Sequence, residues 1–94
     1  MLQVYFAHTF DDALAEANNT KYGLAAGLIS DNERLFEVFK QRINAGVINF
    51  NATTTGASGA FPFGGIGRSG NLRPAGFYAA DYCAWPKASI IKKL

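Results

Sequence analysis

Residues 51–76 hold seven of the chain's ten glycines and two of its three prolines, and they follow neither a helical nor a strand period. In a 94-residue chain a stretch of that length leaves only the first fifty residues and a short tail for regular structure. Long irregular segments inside small domains are either functional or disordered. The stretch ends in Gly64-Gly65-Ile66-Gly67-Arg68-Ser69-Gly70, whose Gly65, Gly67 and Gly70 spell the G-x-G-x-x-G of a dinucleotide-binding turn. That turn needs a strand just before it and a helix just after, so that a pyrophosphate meets the helix N-terminus. Here Pro62 interrupts the approach, and Asn71-Leu72-Arg73-Pro74-Ala75-Gly76 is a poor helix start. No acid stands about 20 residues on to hold a ribose; the nearest is Asp81. A P-loop is excluded because no Lys-Ser/Thr pair follows the glycines. The spacing predicts no cofactor turn.

The remaining residues carry ordinary periodicities. Residues 2–7, Leu-Gln-Val-Tyr-Phe-Ala, read as a strand. Thr9 with Asp12 opens a helix whose apolar face is Phe10, Ala13, Leu14 and Ala17, ended by Asn18 and Asn19. Residues 23–30 read as a strand covered on both sides. Ser30 and Glu33 form a second capping box for a helix over 32–44, striped by Leu35, Phe36, Phe39 and Ile43. Gly46 takes the left-handed position after that helix, and Val47-Ile48-Asn49-Phe50 is the third strand. Residues 77–85 form a short helix or strand, and 88–93 a last strand. The predicted fold class is α/β, a β-α-β-α-β unit of parallel type, followed by a long glycine-rich loop and a terminal strand.

Bulk properties exclude several functions. A net charge of +2 with scattered lysines and arginines predicts neither a nucleic-acid nor a membrane-surface partner. No apolar run nears the length of a membrane span, and the N-terminus lacks the basic start and cleavage site of a signal peptide. A single cysteine, Cys83, forbids an intrachain disulfide and suits a reducing compartment, so a cytoplasmic location is the default expectation.

Three side-chain groups invite a chemical reading. Cys83, between Tyr82 and Ala84-Trp85, has no neighbouring cation or histidine to activate it and reads as buried packing. His8, the only histidine, has no partner at metal-ligand spacing, so no metal is expected. Asp11 and Asp12 are explained as first-turn acids. The positive candidate is the segment 51–65. Its glycine backbone and the hydroxyls of Thr53, Thr54, Thr55 and Ser58 form a cradle suited to a carboxylate, walled by Phe61 and Phe63. A mobile linker is the competing reading.

Three runs carry a family resemblance: LQVYFAHTFDDALAEANNTKYGLAAGLIS, then AGVINFN, then PFGGIGRSG. Together they resemble the C-terminal end of the aldehyde dehydrogenase superfamily over essentially the whole chain. The run SGNLRPAGFYAADYCAWPKAS narrows this to a branch acting on a carboxylated semialdehyde in bacterial arginine breakdown. The resemblance implies NAD-dependent oxidation of an aldehyde to a carboxylate through a thiohemiacetal. It also implies that the catalytic Cys and Glu, the nucleotide domain and an E-x-F-G-P motif lie upstream of the matched segment. Met1 stands where the proline or valine of that motif belongs, so the chain is expected to be a C-terminal fragment, binding no cofactor and inactive alone.

Carried over by position, Phe63 matches the aromatic wall beside the thiohemiacetal, and Thr55 and Ala57 match positions lining the aldehyde tunnel. Thr55-Gly56-Ala57-Ser58 matches the loop that anchors the carboxylate of amino-acid-derived semialdehydes. Residues 1–86 would belong to the catalytic domain, and 87–94 would form a strand joining the oligomerisation sheet of a dimer or larger assembly. Two other classes remain: a non-catalytic self-associating structural module and a small carboxylate-binding domain.

Overall fold

The computed structural model describes residues 1–70 and 75–94. Residues 71–74, which fall within the glycine-rich stretch and the run 69–89 that narrows the resemblance, lie outside the described residues. The first helix, α1 (Phe10–Asn18), is capped by Thr9, whose Oγ1 accepts from the Asp12 amide at 3.0 Å. Asp11 and Asp12 occupy its first turn, favourable to the helix dipole. Strands β1 (Tyr22–Gly23) and β2 (Ala25–Leu28) follow, then α2 (Glu33–Arg42) and β3 (Val47–Phe50). Strands β2 and β3 pair in parallel, Ala25 opposite Val47 through Leu28 opposite Phe50, with α2 as the crossover.

Both helices lie on one face of this pair. Leu14, Phe39 and Ile43 are the buried core, with Phe10, Phe36, Ala26, Leu28 and Ile48 packed against them. Phe36 stacks on Phe50 at 4.7 Å between centroids, so Ile48 and Phe50 face the helices. Alternation along the strand then turns Val47 and Asn49 to the opposite face. Within the described residues that second face of the sheet carries no helix, which corrects the expectation of a strand covered on both sides. The predicted stripe on α2 is present, whereas on α1 only Phe10 and Leu14 pack inward and Ala13 and Ala17 stay exposed.

Helix ends differ from expectation in two places. The cap of α2 is Asn32 rather than Ser30: its Oδ1 accepts from the Arg34 amide at 3.0 Å. Ser30 instead supports the preceding turn, accepting from the Asn32 amide. At the other end α2 stops at Arg42 with an extended Ile43, and Gly46 is not left-handed. The stop is made by Asn18, whose Nδ2 donates to the Arg42 carbonyl and whose Oδ1 accepts from the Asn44 amide, both at 2.8 Å. Gly46 is required for a different reason: a Cβ there would land on the backbone carbonyl oxygen of Gly64.

The glycine-rich stretch is not wholly irregular. It contributes three two-residue strands, β4 (Pro62–Phe63), β5 (Ile66–Gly67) and β6 (Ala75–Gly76). Strand β5 pairs antiparallel with β1 and β4 pairs antiparallel with β6, so the stretch folds back on the first half of the chain. A four-residue helix, α3 (Ala79–Tyr82), follows.

The two end segments form no strand, contrary to the expectation for 2–7 and 88–93. A strand needs a neighbour for its amides and carbonyls, and the described residues offer none at either place. The expected β-α-β-α-β unit therefore lacks its first strand. Leu2, Val4, Tyr5, Phe6, Trp85, Ile90 and Ile91 are left exposed. Cys83 is exposed too, so it is not the packed core residue expected from its apolar neighbours.

The magnitudes agree. The chain exposes 8198 Å², whereas a compact monomer of this length exposes about 5300 Å². Its radius of gyration is 18.6 Å, against about 12 Å for a compact domain of this length. Part of that surface is apolar, since Leu2, Val4, Tyr5, Phe6, Trp85, Ile90 and Ile91 all lie on it.

Candidate functional site

The helix-free face of β3 opens into a cleft of about 460 Å³ lined by Gly46, Val47, Ile48 and Asn49, then Gly56, Ala57 and Ser58, then Phe61, Pro62 and Phe63. Three segments distant in sequence meet there, each held for a local reason. Strand β3 is fixed by its parallel ladder and by the Asn51 carboxamide. Asn51 is left-handed, with φ 51°, a conformation asparagine tolerates better than most residues. Its Oδ1 accepts from the Ser30 amide at 2.8 Å and its Nδ2 donates to the Ser30 carbonyl at 2.9 Å. That reciprocal pair sends the chain out of the sheet into the 52–60 loop.

The loop is turned by hydrogen bonds of its own. The Gly56 amide reaches the Thr53 carbonyl, Phe61 reaches Ser58, and the Ser58 Oγ accepts from the Ala60 amide at 3.2 Å. Of the sequence candidates, Gly56, Ala57, Ser58 and Phe63 line the cleft together. Thr55 does not; its Oγ1 lies 2.7 Å from that of Thr53, one hydroxyl donating to the other. Phe61 joins Phe63 in the apolar wall, as the sequence suggested, and β4 keeps the second of these residues in place through Ala75.

Among the described residues, no carboxylate, lysine or arginine lines the cleft. Its polar groups are those of Asn49 and Ser58 and the backbone amides of the loop. Such a neutral, donor-bearing wall with aromatic sides accommodates an acceptor-rich organic molecule. The sequence reading missed Asn49 and Asn51. Their signal was present as two asparagines bracketing Phe50, but only the strand alternation and the left-handed turn reveal what each does.

Cys83 does not line the cleft, nor does His8, which is exposed and stands edge-on to Phe6 at 5.2 Å. Among the described residues no three or more His, Cys, Asp or Glu side chains cluster as a metal site would require. No helix among them is long and apolar enough to cross a membrane.

The G-x-G-x-x-G turn does not fit a dinucleotide. Its amides are already engaged: Arg68 donates to the Lys21 carbonyl at 2.7 Å, Ser69 to Ile66 at 3.1 Å and Gly70 to Gly67 at 3.3 Å. Gly67 is left-handed at φ 58° and pairs with Tyr22, while the Ser69 hydroxyl accepts from the Gly23 amide at 3.0 Å. A phosphate cradle needs free amides pointing outward; these point into the chain. The turn is a clasp between the glycine-rich stretch and β1.

The profile described as the aldehyde dehydrogenase family matches residues 1–88. The chain is 60% identical over 90 residues to N-succinylglutamate 5-semialdehyde dehydrogenase 2 of Caulobacter vibrioides, covering 96% of this chain and 19% of that protein. Proteins of Photorhabdus laumondii and Burkholderia lata that bear the name N-succinylglutamate 5-semialdehyde dehydrogenase are 59% and 53% identical. The chain thus spans about a fifth of the length of these curated relatives.

Among solved structures, aldehyde dehydrogenase 21 of Physcomitrella patens, in complex with its reaction product succinate, superposes with a TM-score of 0.71. It is 29% identical, over 78% of this chain and 15% of that one. A Mycobacterium tuberculosis aldehyde dehydrogenase complexed with NAD+ gives a TM-score of 0.58 at 34% identity, over 72% of this chain and 14% of that one. A family match over nearly the whole chain, and a fold shared with solved members, place this chain in the aldehyde dehydrogenase family.

Proposed function

We propose that this chain is the substrate-side segment of an NAD-dependent succinylglutamate semialdehyde dehydrogenase, an enzyme of arginine breakdown that oxidises a carboxylated semialdehyde to the acid. The observation that carries the reading is the cleft itself. Gly56, Ala57 and Ser58 face Phe63 across a space of about 460 Å³, with neutral donors and, among the described residues, no acidic side chain. A carboxylate entering there meets donors rather than repulsion, and the aromatic wall sits against its carbon chain. The small Ala57 leaves room that a larger residue would fill. In this role the chain's own residues bind and orient the aldehyde. The nucleophile and the nucleotide site are contributed by other parts of the enzyme, since Cys83 stands outside the cleft and the glycine turn is closed. Residues 87–94, which carry Ile90, Ile91 and Leu94 among three lysines and form no strand in this chain, serve as an oligomerisation strand added to a sheet edge of another copy.

The test has two arms. One uses the chain alone; the other uses a full-length dehydrogenase carrying this segment, made by replacing the matching 90 residues of the Caulobacter vibrioides protein. Given NAD and aldehyde, the chain alone forms no NADH above a buffer blank. The full-length protein does, with kcat/KM for N-succinylglutamate 5-semialdehyde at least about 10-fold above that for hexanal, a difference of about 1.4 kcal/mol. Turnover by the chain alone overturns its assignment as a non-catalytic segment. Equal use of the two aldehydes overturns the carboxylate reading of the cleft.

A further inference from the structure

Among the described residues, one buried side-chain polar atom has no hydrogen-bond partner: Nδ2 of Asn49, in the wall of the cleft. Buried amides are nearly always paired, and an unpaired donor asks for an explanation. Asn49 is not loosely placed. It lies on β3 in register with Gly27, between Ile48 and Phe50, which are anchored on the helix side. Across the cleft its Oδ1 stands against Gly56, close enough that a Cβ on that residue would come within 3.3 Å. A half-turn about χ2, a broad torsion in asparagine, carries Nδ2 to the side Oδ1 now holds, facing the loop.

We infer that Asn49 is a specificity-determining residue of the cleft, donating from Nδ2 to a carboxylate oxygen of the substrate. The inference rests on the proposed substrate class and deepens it. Among the described residues, the lining contains no acid to repel that carboxylate. The Ser58 Oγ accepts from the Ala60 amide, which leaves its O–H available as a second donor in the same lining. An amide donor that only the correct substrate pairs discriminates against aldehydes that lack the acceptor, because those leave the donor unpaired.

The experiment uses the full-length dehydrogenase carrying this segment, with Asn49→Ala and the isosteric Asn49→Asp, which keeps the packing but removes the donor. KM for N-succinylglutamate 5-semialdehyde rises roughly 10-fold in the alanine variant and roughly 100-fold in the aspartate variant, which also repels the carboxylate. The kcat for the semialdehyde stays within about two-fold, whereas KM for hexanal falls in the alanine variant, where no donor is left unpaired, so the preference for the semialdehyde narrows by at least about 10-fold. Equal losses on both aldehydes overturn the inference, since they mark a purely structural asparagine; unchanged KM for the semialdehyde overturns it as well. Failure here is separable from failure of the cleft reading, because the unsubstituted enzyme's preference for the semialdehyde over hexanal is measured in the same series.

Discussion

Gly46→Ala is expected to abolish the cleft and most of the activity of a full-length dehydrogenase carrying this segment. Gly46 stands immediately before β3, its amide donating to the Gly23 carbonyl at 3.2 Å, which extends the parallel ladder by one residue. Over its Cα lies the backbone of the Pro62-Phe63-Gly64-Gly65 turn. A Cβ would collide with the Gly64 carbonyl oxygen, and would also lie 2.7 Å from the Gly64 carbonyl carbon and 3.1 Å from the Gly65 Cα. These obstacles are backbone, so no side-chain rotation relieves them. Either the turn lifts away and takes Phe63 out of the cleft, or residue 46 leaves the ladder. The cost is about 3–5 kcal/mol in the urea unfolding free energy, the range of severe packing disruption. The loss in kcat/KM is at least about 100-fold. Gly59→Ala is the control, since nothing lies within 4 Å of a Cβ there. A Gly46→Ala enzyme with the stability and kinetics of its parent would show that the turn does not rest on β3.

Phe63→Ala is expected to lower kcat/KM for the semialdehyde by roughly 10- to 100-fold, or about 1.4–2.8 kcal/mol of transition-state stabilisation. Phe63 forms one side of the cleft, and its backbone is paired with Ala75 rather than free to move inward. Truncation therefore leaves an unfilled volume against the aldehyde chain instead of a collapsed wall. Phe63→Leu, which keeps much of the apolar contact, retains most of the activity. Steady-state kinetics on both variants decide the matter, and unchanged values for Phe63→Ala would remove it from the site.

The parts of the fold readable in the sequence are those whose cause is local. The Thr9 cap, the Phe36–Phe39–Ile43 stripe and the Val47–Phe50 strand depend on residues within a turn or two of one another, and each stands where the periodicity puts it. Gly46 was misread because the reason for it lies eighteen residues away, in the Gly64 carbonyl. The helix stop at Arg42 was likewise set by Asn18, across a span that no local pattern records. The end segments 2–7 and 88–93 have strand-like composition, yet composition cannot supply the neighbour that a strand requires. For the candidate site, the glycine and hydroxyl content of residues 53–58 marked the loop. Which of those residues face the cleft, with Thr55 turned to Thr53 and Gly56 to Asn49, depends on the path set by Asn51.

The account's central claim is that the cleft between residues 56–58 and Phe63 receives the carboxylated substrate. A crystal structure of the full-length dehydrogenase carrying this segment, grown with the dicarboxylated product N-succinylglutamate, tests it most directly. The product's chain is expected to lie along Phe63, with a carboxylate within hydrogen-bonding distance of the Gly56–Ser58 loop and of Asn49 Nδ2. Product bound elsewhere in the enzyme, with this cleft filled only by water or by protein side chains, would contradict it.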